Sequence, residues 1–368
     1  MEFLISLFEP FTWYCILACF GLLLLITLYQ FIWYWQPAYK RNRKTITPAD
    51  ALPPVSIVVC ATNEYKQLRR LLPQLLTQDY PCYEVVVVND RSEDNSEIML
   101  STLQAQYPHL QIRTTHTDDR FGRSPALALG VGIRAAQYEL VLCTEAHCQI
   151  TSPLWLRSMA SRYGNKTQIV LGHTTHKSYP RWMRCDDLQQ ALHYLGHAAT
   201  GRPYMGMGSN VLFNKQLFYN NNGFNLRLTR DHLPMYVFIS EVGTAQNCHI
   251  CTEPSGLSHS GLKTNLVLWK RQRKMERDSR RLHPRGISPS WEALLRLLFY
   301  ISAIGGLCYV TPQLLPMLVF GSLIFLRLLS VACLYLGLRR RLHEKGLFFP
   351  FLAWDPLSPF VILSRRFY

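Results

Sequence analysis

The chain has 368 residues, is 48% hydrophobic and 17% charged, and carries a formal net charge of +15 at pH 7. This composition excludes an intrinsically disordered chain, and the length allows one or two domains. The 11 cysteines are scattered, which excludes a disulfide-built secreted scaffold and suits a reducing compartment.

The first recognisable element is Phe11–Trp35, FTWYCILACFGLLLLITLYQFIWYW, without a single charge. About 20 apolar residues cross a bilayer, so this segment predicts a transmembrane helix. Glu2 and Glu9 ahead of it, and the lack of a small-residue cleavage site after it, favour a retained span over a cleaved signal. Lys40, Arg41, Arg43 and Lys44 follow. Residues 1–49 therefore read as a membrane helix and a basic linker.

Residues 50–288 alternate strand and helix. The run VSIVVC (55–60) predicts a strand, and Leu68, Leu71, Leu72, Leu75 and Leu76 form the stripe of an amphipathic helix containing Pro73. The run VVVV (85–88) is continuous rather than alternating, as in a parallel strand covered on both faces. A helix over 92–106, a strand over 110–113, a helix over 124–137 and a strand over 140–143 follow. Such repetition predicts an open, mostly parallel α/β sheet, and in these sheets ligands bind beyond the carboxyl ends of the strands. Polar groups fall at those ends: Thr62, Asn63 and Glu64 after the first strand, Asn89 and Asp90 after the second, Glu145 and His147 after the fourth. One polar strand end is an ordinary cap; three on one rim favour a site. Arg123, beside Gly122 at a helix start, faces an anionic ligand in this reading. Walker and GxGxxG patterns are absent, which argues against a triphosphatase or a dinucleotide enzyme. Cys248 and Cys251 form a lone CxxC, and His173, His176, His193 and His197 read as packing or surface histidines.

Residues 265–282 predict an amphipathic helix at the membrane surface, with Leu266, Leu268 and Trp269 entering the headgroups and a basic face meeting anionic lipid. Two apolar stretches, 297–310 and 314–338, predict a hairpin of spans, so that 289–368 forms a membrane hairpin and a membrane-associated tail. Arg327 lies within the second stretch and is expected to face protein or snorkel. Basic clusters at 40–44, 270–285 and 339–341 fall on one side of these spans, which predicts an integral inner-membrane protein whose middle region is cytoplasmic. These clusters sit at membrane ends and no nucleic-acid motif accompanies them, so anionic lipid rather than nucleic acid is the expected partner.

Several blocks together resemble the family-2 glycosyltransferases, in their membrane-bound bacterial branch: PPVSIVVCATNEYKQLRRLLPQLLTQDYPCYEVVVVNDRSEDNS, GRSPALALGVGIRAA, LVLCTEAHC and GRPYMGMGSNVLFNKQLFYNNNGF. The resemblance implies a GT-A fold, Rossmann-like with a mostly parallel sheet, flanked by transmembrane helices. It implies that Thr62, Asn63, Glu64 and Asp90 hold the nucleotide of a nucleotide-sugar donor. Arg123 stands where the family commonly has lysine. The family binds Mg²⁺ or Mn²⁺ through an aspartate-any-aspartate motif, whose place is taken here by Glu145 and His147. That pair favours Mn²⁺, because Mg²⁺ prefers an all-oxygen shell. The acidic run that supplies the family's catalytic base is reduced to Asp231, with Glu241 the other nearby acid. Of the Gln-x-x-Arg-Trp signature only Gln272 remains. Asp231 reads either as the base or as a helix cap. The implied activity is inverting transfer of a sugar from a nucleotide-diphosphate sugar to a lipid-linked or glycan acceptor, in envelope polysaccharide synthesis. The alternative is a catalytically silent scaffold or nucleotide-sugar-binding protein of a glycan-assembly complex.

Overall fold

A computed structural model describes residues 2–39, 52–115, 124–164, 166–224, 231–282, 289–310 and 313–364. In chain order the elements are α1 (Glu2–Tyr39), β1 (Val55–Ala61), α2 (Tyr65–Leu76), β2 (Tyr83–Asp90), α3 (Ser96–Gln106), β3 (Leu110–Thr115), α4 (Pro125–Ala135), β4 (Leu140–Glu145), β5 (Cys148–Gln149), α5 (Trp155–Ala160), β6 (Ile169–Leu171) and β7 (Thr174–Thr175). They continue with α6 (Arg181–Ala199), β8 (Val211–Asn214), α7 (Lys215–Asn220), α8 (Pro234–Val242), β9 (Cys248–Ile250), β10 (Ser258–Ser260), α9 (Leu266–Leu282), α10 (Pro289–Tyr309), α11 (Leu314–Arg341) and α12 (Phe348–Ser364). The chain divides into two compact units: an α/β unit of Arg41–Pro180 and His197–Gly286, and a helical unit of Met1–Lys40, Arg181–Gly196 and Ile287–Tyr368. The sequence reading treats 50–288 as one domain; the structure groups Arg181–Gly196, most of α6, with the helical unit instead.

The α/β unit is built on a seven-stranded sheet of order β3-β2-β1-β4-β8-β6-β9. β1, β2, β3 and β4 run parallel, and β8 is antiparallel to both β4 and β6. Val85, Val86, Val87 and Val88 have no exposed surface, as a strand covered on both faces requires, and the leucine stripe of α2 is buried against the sheet. A second sheet of three short strands has the order β5-β10-β7.

Two helix boundaries differ from expectation because side chains capture the terminal backbone amides. Asp94 accepts from Tyr65 N through Oδ2 at 2.9 Å and from Ser96 N through Oδ1 at 3.1 Å, so the residues before Ser96 form a turn and α3 starts there. Gln137 N donates to Glu84 Oε1 at 2.5 Å and Tyr138 N donates to Ser56 Oγ at 3.0 Å, which takes these amides out of the helical ladder and ends α4 at Ala135. The CxxC pair is buried. Burial pushes the thiols of Cys248 and Cys251 up to about 12 and about 11, so both stay protonated at neutral pH.

In the helical unit, α1, α10 and α11 are long and apolar enough to cross a membrane. Ile16, Cys19 and Ile26 of α1 pack with Phe299 and Ala303 of α10 and Phe320 of α11. Arg327 is fully buried and faces protein. Its Nε and Nη2 donate to Asp355 Oδ2 and Oδ1 at 2.9 and 2.6 Å.

Candidate active site

Strand register assembles the rim. β1 pairs with β4 so that Cys60 lies beside Glu145, and with β2 so that Ala61 lies beside Asn89. β2 pairs with β3 so that Asp90 lies beside Thr115. The residues leaving β1, β2 and β4 therefore emerge together at the carboxyl edge of the sheet.

Asp90 is nearly buried and held from three sides. Thr115 Oγ1 donates to Oδ1 at 2.6 Å, Arg91 Nε donates to Oδ1 at 3.2 Å, and Thr62 Oγ1 approaches Oδ2 at 3.5 Å. Asn63 adopts φ +56°, a left-handed conformation that asparagine tolerates better than most residues. From there its N donates to Ser92 Oγ at 3.0 Å, and its Oδ1 accepts from Glu93 N at 2.7 Å. These bonds lace the β1–α2 turn to the β2–α3 turn.

At the end of β4, His147 Nε2 lies 3.1 Å from Glu145 Oε2, with the Glu145 side chain half exposed and that of His147 largely covered. Glu64 shares their field. Burial pushes its carboxyl above the ordinary value, His147 pulls it down, and Glu145 adds to the rise. The Cys60 thiol is likewise pushed up, first by burial and then by Asp90, Glu145 and Glu64. The three predicted strand ends thus lie side by side along the carboxyl edge of the sheet, with β1 between β2 and β4. Among the described residues there is no group of three or more His, Cys, Asp or Glu arranged to hold a metal ion. A carboxylate oxygen and an imidazole nitrogen 3.1 Å apart fit an ion that takes its remaining ligands from phosphate oxygens and water.

The segment before β8 covers this pair. A Cβ on Gly208 would stand 3.3 Å from Glu145 Oε1, and Thr144 Oγ1 donates to Ser209 O at 3.0 Å. Asn210 is fully buried. Its Nδ2 donates to His173 O and Gly256 O at 3.2 and 2.9 Å, and its Oδ1 accepts from Trp155 Nε1 at 3.2 Å. Arg91, Thr115, Gly208 and Asn210 are additions to the sequence-derived set. Thr115 escapes because the third strand is predicted to stop at residue 113, and Asn210 because nothing local marks a buried hub.

The small sheet brings further histidines close. Thr175 Oγ1 and His259 Nδ1 are hydrogen-bonded at 2.5 Å. Burial, and then the charge of His259, pushes His173 down to about 4. His176 falls to about 3 through burial and then the charges of His173, Arg273 and His147. His173 is buried, as a packing histidine should be.

The candidate base region is less complete. Asp231 is exposed and precedes α8, whose N-cap is Leu233 rather than Asp231. Leu233 N donates to Ser279 Oγ of α9 at 2.8 Å. Glu241 lies in the last turn of α8, where Asn221 Nδ2 donates to its Oε2 at 2.9 Å. Arg123 lies outside the described residues. One expectation for α9 is corrected. Trp269 is buried instead of facing headgroups, on one helix face with Arg273, Glu276 and Ser279, and Arg273 lies over its ring at 5.8 Å. The buried positions 269, 273, 276 and 279 follow the helical period along one face, while Leu266, Val267 and Leu268 in the first turn are exposed.

Residues 56–201 match the family model described as glycosyl transferase family 2. The poly-beta-1,6-N-acetyl-D-glucosamine synthase of Staphylococcus aureus strain COL is 26% identical over 108 residues, covering 29% of this chain and 25% of the relative. The enzyme of the same description from Staphylococcus epidermidis is 28% identical over 92 residues, covering 25% and 21%. The chain therefore spans about a quarter of the length of the curated relatives it matches. A mannosyltransferase from Pyrobaculum calidifontis, solved with GDP-Man and Mn²⁺, has the same fold at TM-score 0.58 and 16% identity, with 97% of each chain covered. Sheet order and family match agree: residues 56–201 match glycosyl transferase family 2, and the chain has the GT-A fold, a mixed α/β unit with a mostly parallel sheet.

Proposed function

We propose that the protein is a membrane-anchored, inverting glycosyltransferase that moves a sugar from a nucleotide-diphosphate sugar to a lipid-linked or glycan acceptor, with the α/β unit in the cytoplasm. The observation that carries the reading is the Glu145–His147 pair at the end of β4, 3.1 Å apart and in the same field as Glu64. Thr62, Asn63, Glu64 and Asp90 hold the nucleotide. Arg123, which lies outside the described residues, is assigned to the diphosphate from its place in the sequence. A divalent ion, Mn²⁺ in preference to Mg²⁺, would be held by Glu145 and His147 and would supply positive charge to the leaving diphosphate. The relatives' description as glucosamine-polymer synthases supports a glycan product.

The chemistry is one displacement. The acceptor hydroxyl oxygen bonds to the anomeric carbon, the bond from that carbon to phosphate oxygen breaks, and the nucleoside diphosphate leaves with the electron pair. The hydroxyl proton passes to a carboxylate, which we assign to Asp231. Glu241 is the weaker candidate because it accepts from Asn221 within α8. The test is calorimetric titration of the full chain with uridine and guanosine diphosphate sugars, with and without Mn²⁺, beside Glu145→Gln and His147→Ala. The reading expects Mn²⁺-dependent donor binding that both substitutions weaken. Donor binding indifferent to Mn²⁺ and to both substitutions would remove the metal assignment. No binding of any donor would remove the transferase reading.

A further inference from the structure

Hydropathy identifies three membrane-length helices, α1, α10 and α11. α12 has 17 residues and one charge, Asp355, which is buried. Three side chains from two other helices converge on that carboxylate. Arg327 grips both oxygens, Arg296 Nη1 donates to Oδ1 at 3.3 Å and to Ser358 Oγ at 2.8 Å, and Tyr300 OH donates to Oδ2 at 2.6 Å. Arg296 also faces Glu292, which accepts from Tyr34 OH of α1. Two guanidinium groups and two carboxylates leave the cluster without net charge.

The level of this cluster matters. Arg296 in α10 and Arg327 in α11 lie equally far from the helix ends that meet at the 310–313 connection, about 20 Å along each axis at a rise of 1.5 Å per residue. A hydrocarbon core is about 30 Å thick, so a hairpin that crosses it holds both arginines below the headgroups. Asp355 reaches them only if its own helix enters the same layer. The opposite face of α12 agrees: Phe349, Leu357 and Phe360 project from one side and are exposed, with no polar residue among them.

We propose that α12 is a fourth membrane-embedded segment, with Phe349, Leu357 and Phe360 against lipid acyl chains and Asp355 as the internal counter-ion that holds it to α10 and α11. A helix lying on the membrane surface would keep Asp355 in reach of water and out of reach of Arg327. Arg327, which is expensive in lipid when alone, and Asp355, equally so, enter the bilayer as a neutral pair. Removing one partner leaves an uncompensated buried charge, whereas replacing both by apolar groups is tolerated.

The experiment uses the full chain in native membranes. Cysteine is introduced by L357C, or by I98C as an exposed control in the α/β unit, and labelling by a bulky water-soluble maleimide is measured against the parent chain. I98C is expected to add label and L357C to add none. Adding D355L is expected to lower the amount of chain recovered in membranes, or to make L357C reactive in what remains. R327M/D355L is expected to restore both recovery and protection. L357C labelling as fully as I98C in an otherwise unaltered chain would overturn the embedding. Unchanged recovery and labelling with D355L, or failure of the double variant to restore them, would overturn the counter-ion role.

Discussion

Asp90 receives three donors and is close to full coverage, so its charge is fixed in place before any ligand arrives. A hydrogen bond to a charged group contributes about 1.5–3 kcal/mol. Asp90→Asn is therefore expected to weaken donor binding roughly 10- to 100-fold in calorimetry without unfolding the α/β unit. Unchanged affinity would exclude Asp90 from the nucleotide site. Glu64 makes a different prediction. Its carboxyl sits above the ordinary value mainly through burial, so ionising it opposes folding. That penalty is absent below the unfolded value of about 4.3 and grows as pH rises through the folded value. Glu64→Gln should raise the melting temperature at pH 7, leave it nearly unchanged at pH 4, and impair donor binding. A gain of equal size at both pH values would place the effect elsewhere.

The elements differ in how much of them can be read from the chain alone. The parallel half of the sheet is legible because doubly covered strands must be continuous apolar runs, as Val85–Val88 are. The small sheet is not, because strands of two or three residues such as Thr174–Thr175 carry no periodicity. Asp355 is invisible for another reason: a charge in an apolar helix acquires meaning only from arginines on other helices. Asp231 reads in sequence as base or as cap, and the structure places Leu233 at the N-cap position of α8, with Asp231 two residues ahead of it. α9 then fixes the approach to α8 through the bond from Leu233 N to Ser279 Oγ, itself bonded to Met275 O at 2.7 Å. Ser279→Ala should cost about 1 kcal/mol in stability and lower kcat while donor affinity holds; equal turnover in the two proteins would show that this tether does not position the loop. In the small sheet, His173 lies well below its unfolded value of about 6.5, at about 4, through burial. Its contribution to stability is present above pH 6.5 and lost as pH falls toward 4, because the unfolded chain takes up the proton first. Thermal melts over that range should show a smaller acid loss for His173→Gln than for the unaltered chain; identical slopes would contradict this.

At the scale of the molecule, three candidate spans and the charge of +15 are two sides of one design. The apolar helices are long enough to cross a bilayer, and in the proposed orientation the basic clusters at 40–44, 270–285 and 339–341 fall on the face where anionic lipid gathers. The exposed Leu266, Val267 and Leu268 of α9 precede Lys270 and Arg271, a sequence of apolar then basic groups suited to that surface. The proposed cytoplasmic placement predicts that a cysteine introduced at exposed Ile98 stays unlabelled by an impermeant reagent in intact cells and becomes labelled once the membrane is opened. Labelling in intact cells would invert the orientation. The central claim is that this rim performs sugar transfer, and it is tested by product formation from the donor that binds, comparing the unaltered chain with Asp231→Asn. A general base contributes roughly 10²- to 10⁴-fold. The expected result is an inverted glycoside from the unaltered chain and a loss of that size in the variant with donor affinity kept. An unaltered chain that binds its donor and forms no product in the presence of acceptor and Mn²⁺ would contradict the claim and identify a silent nucleotide-sugar-binding relative.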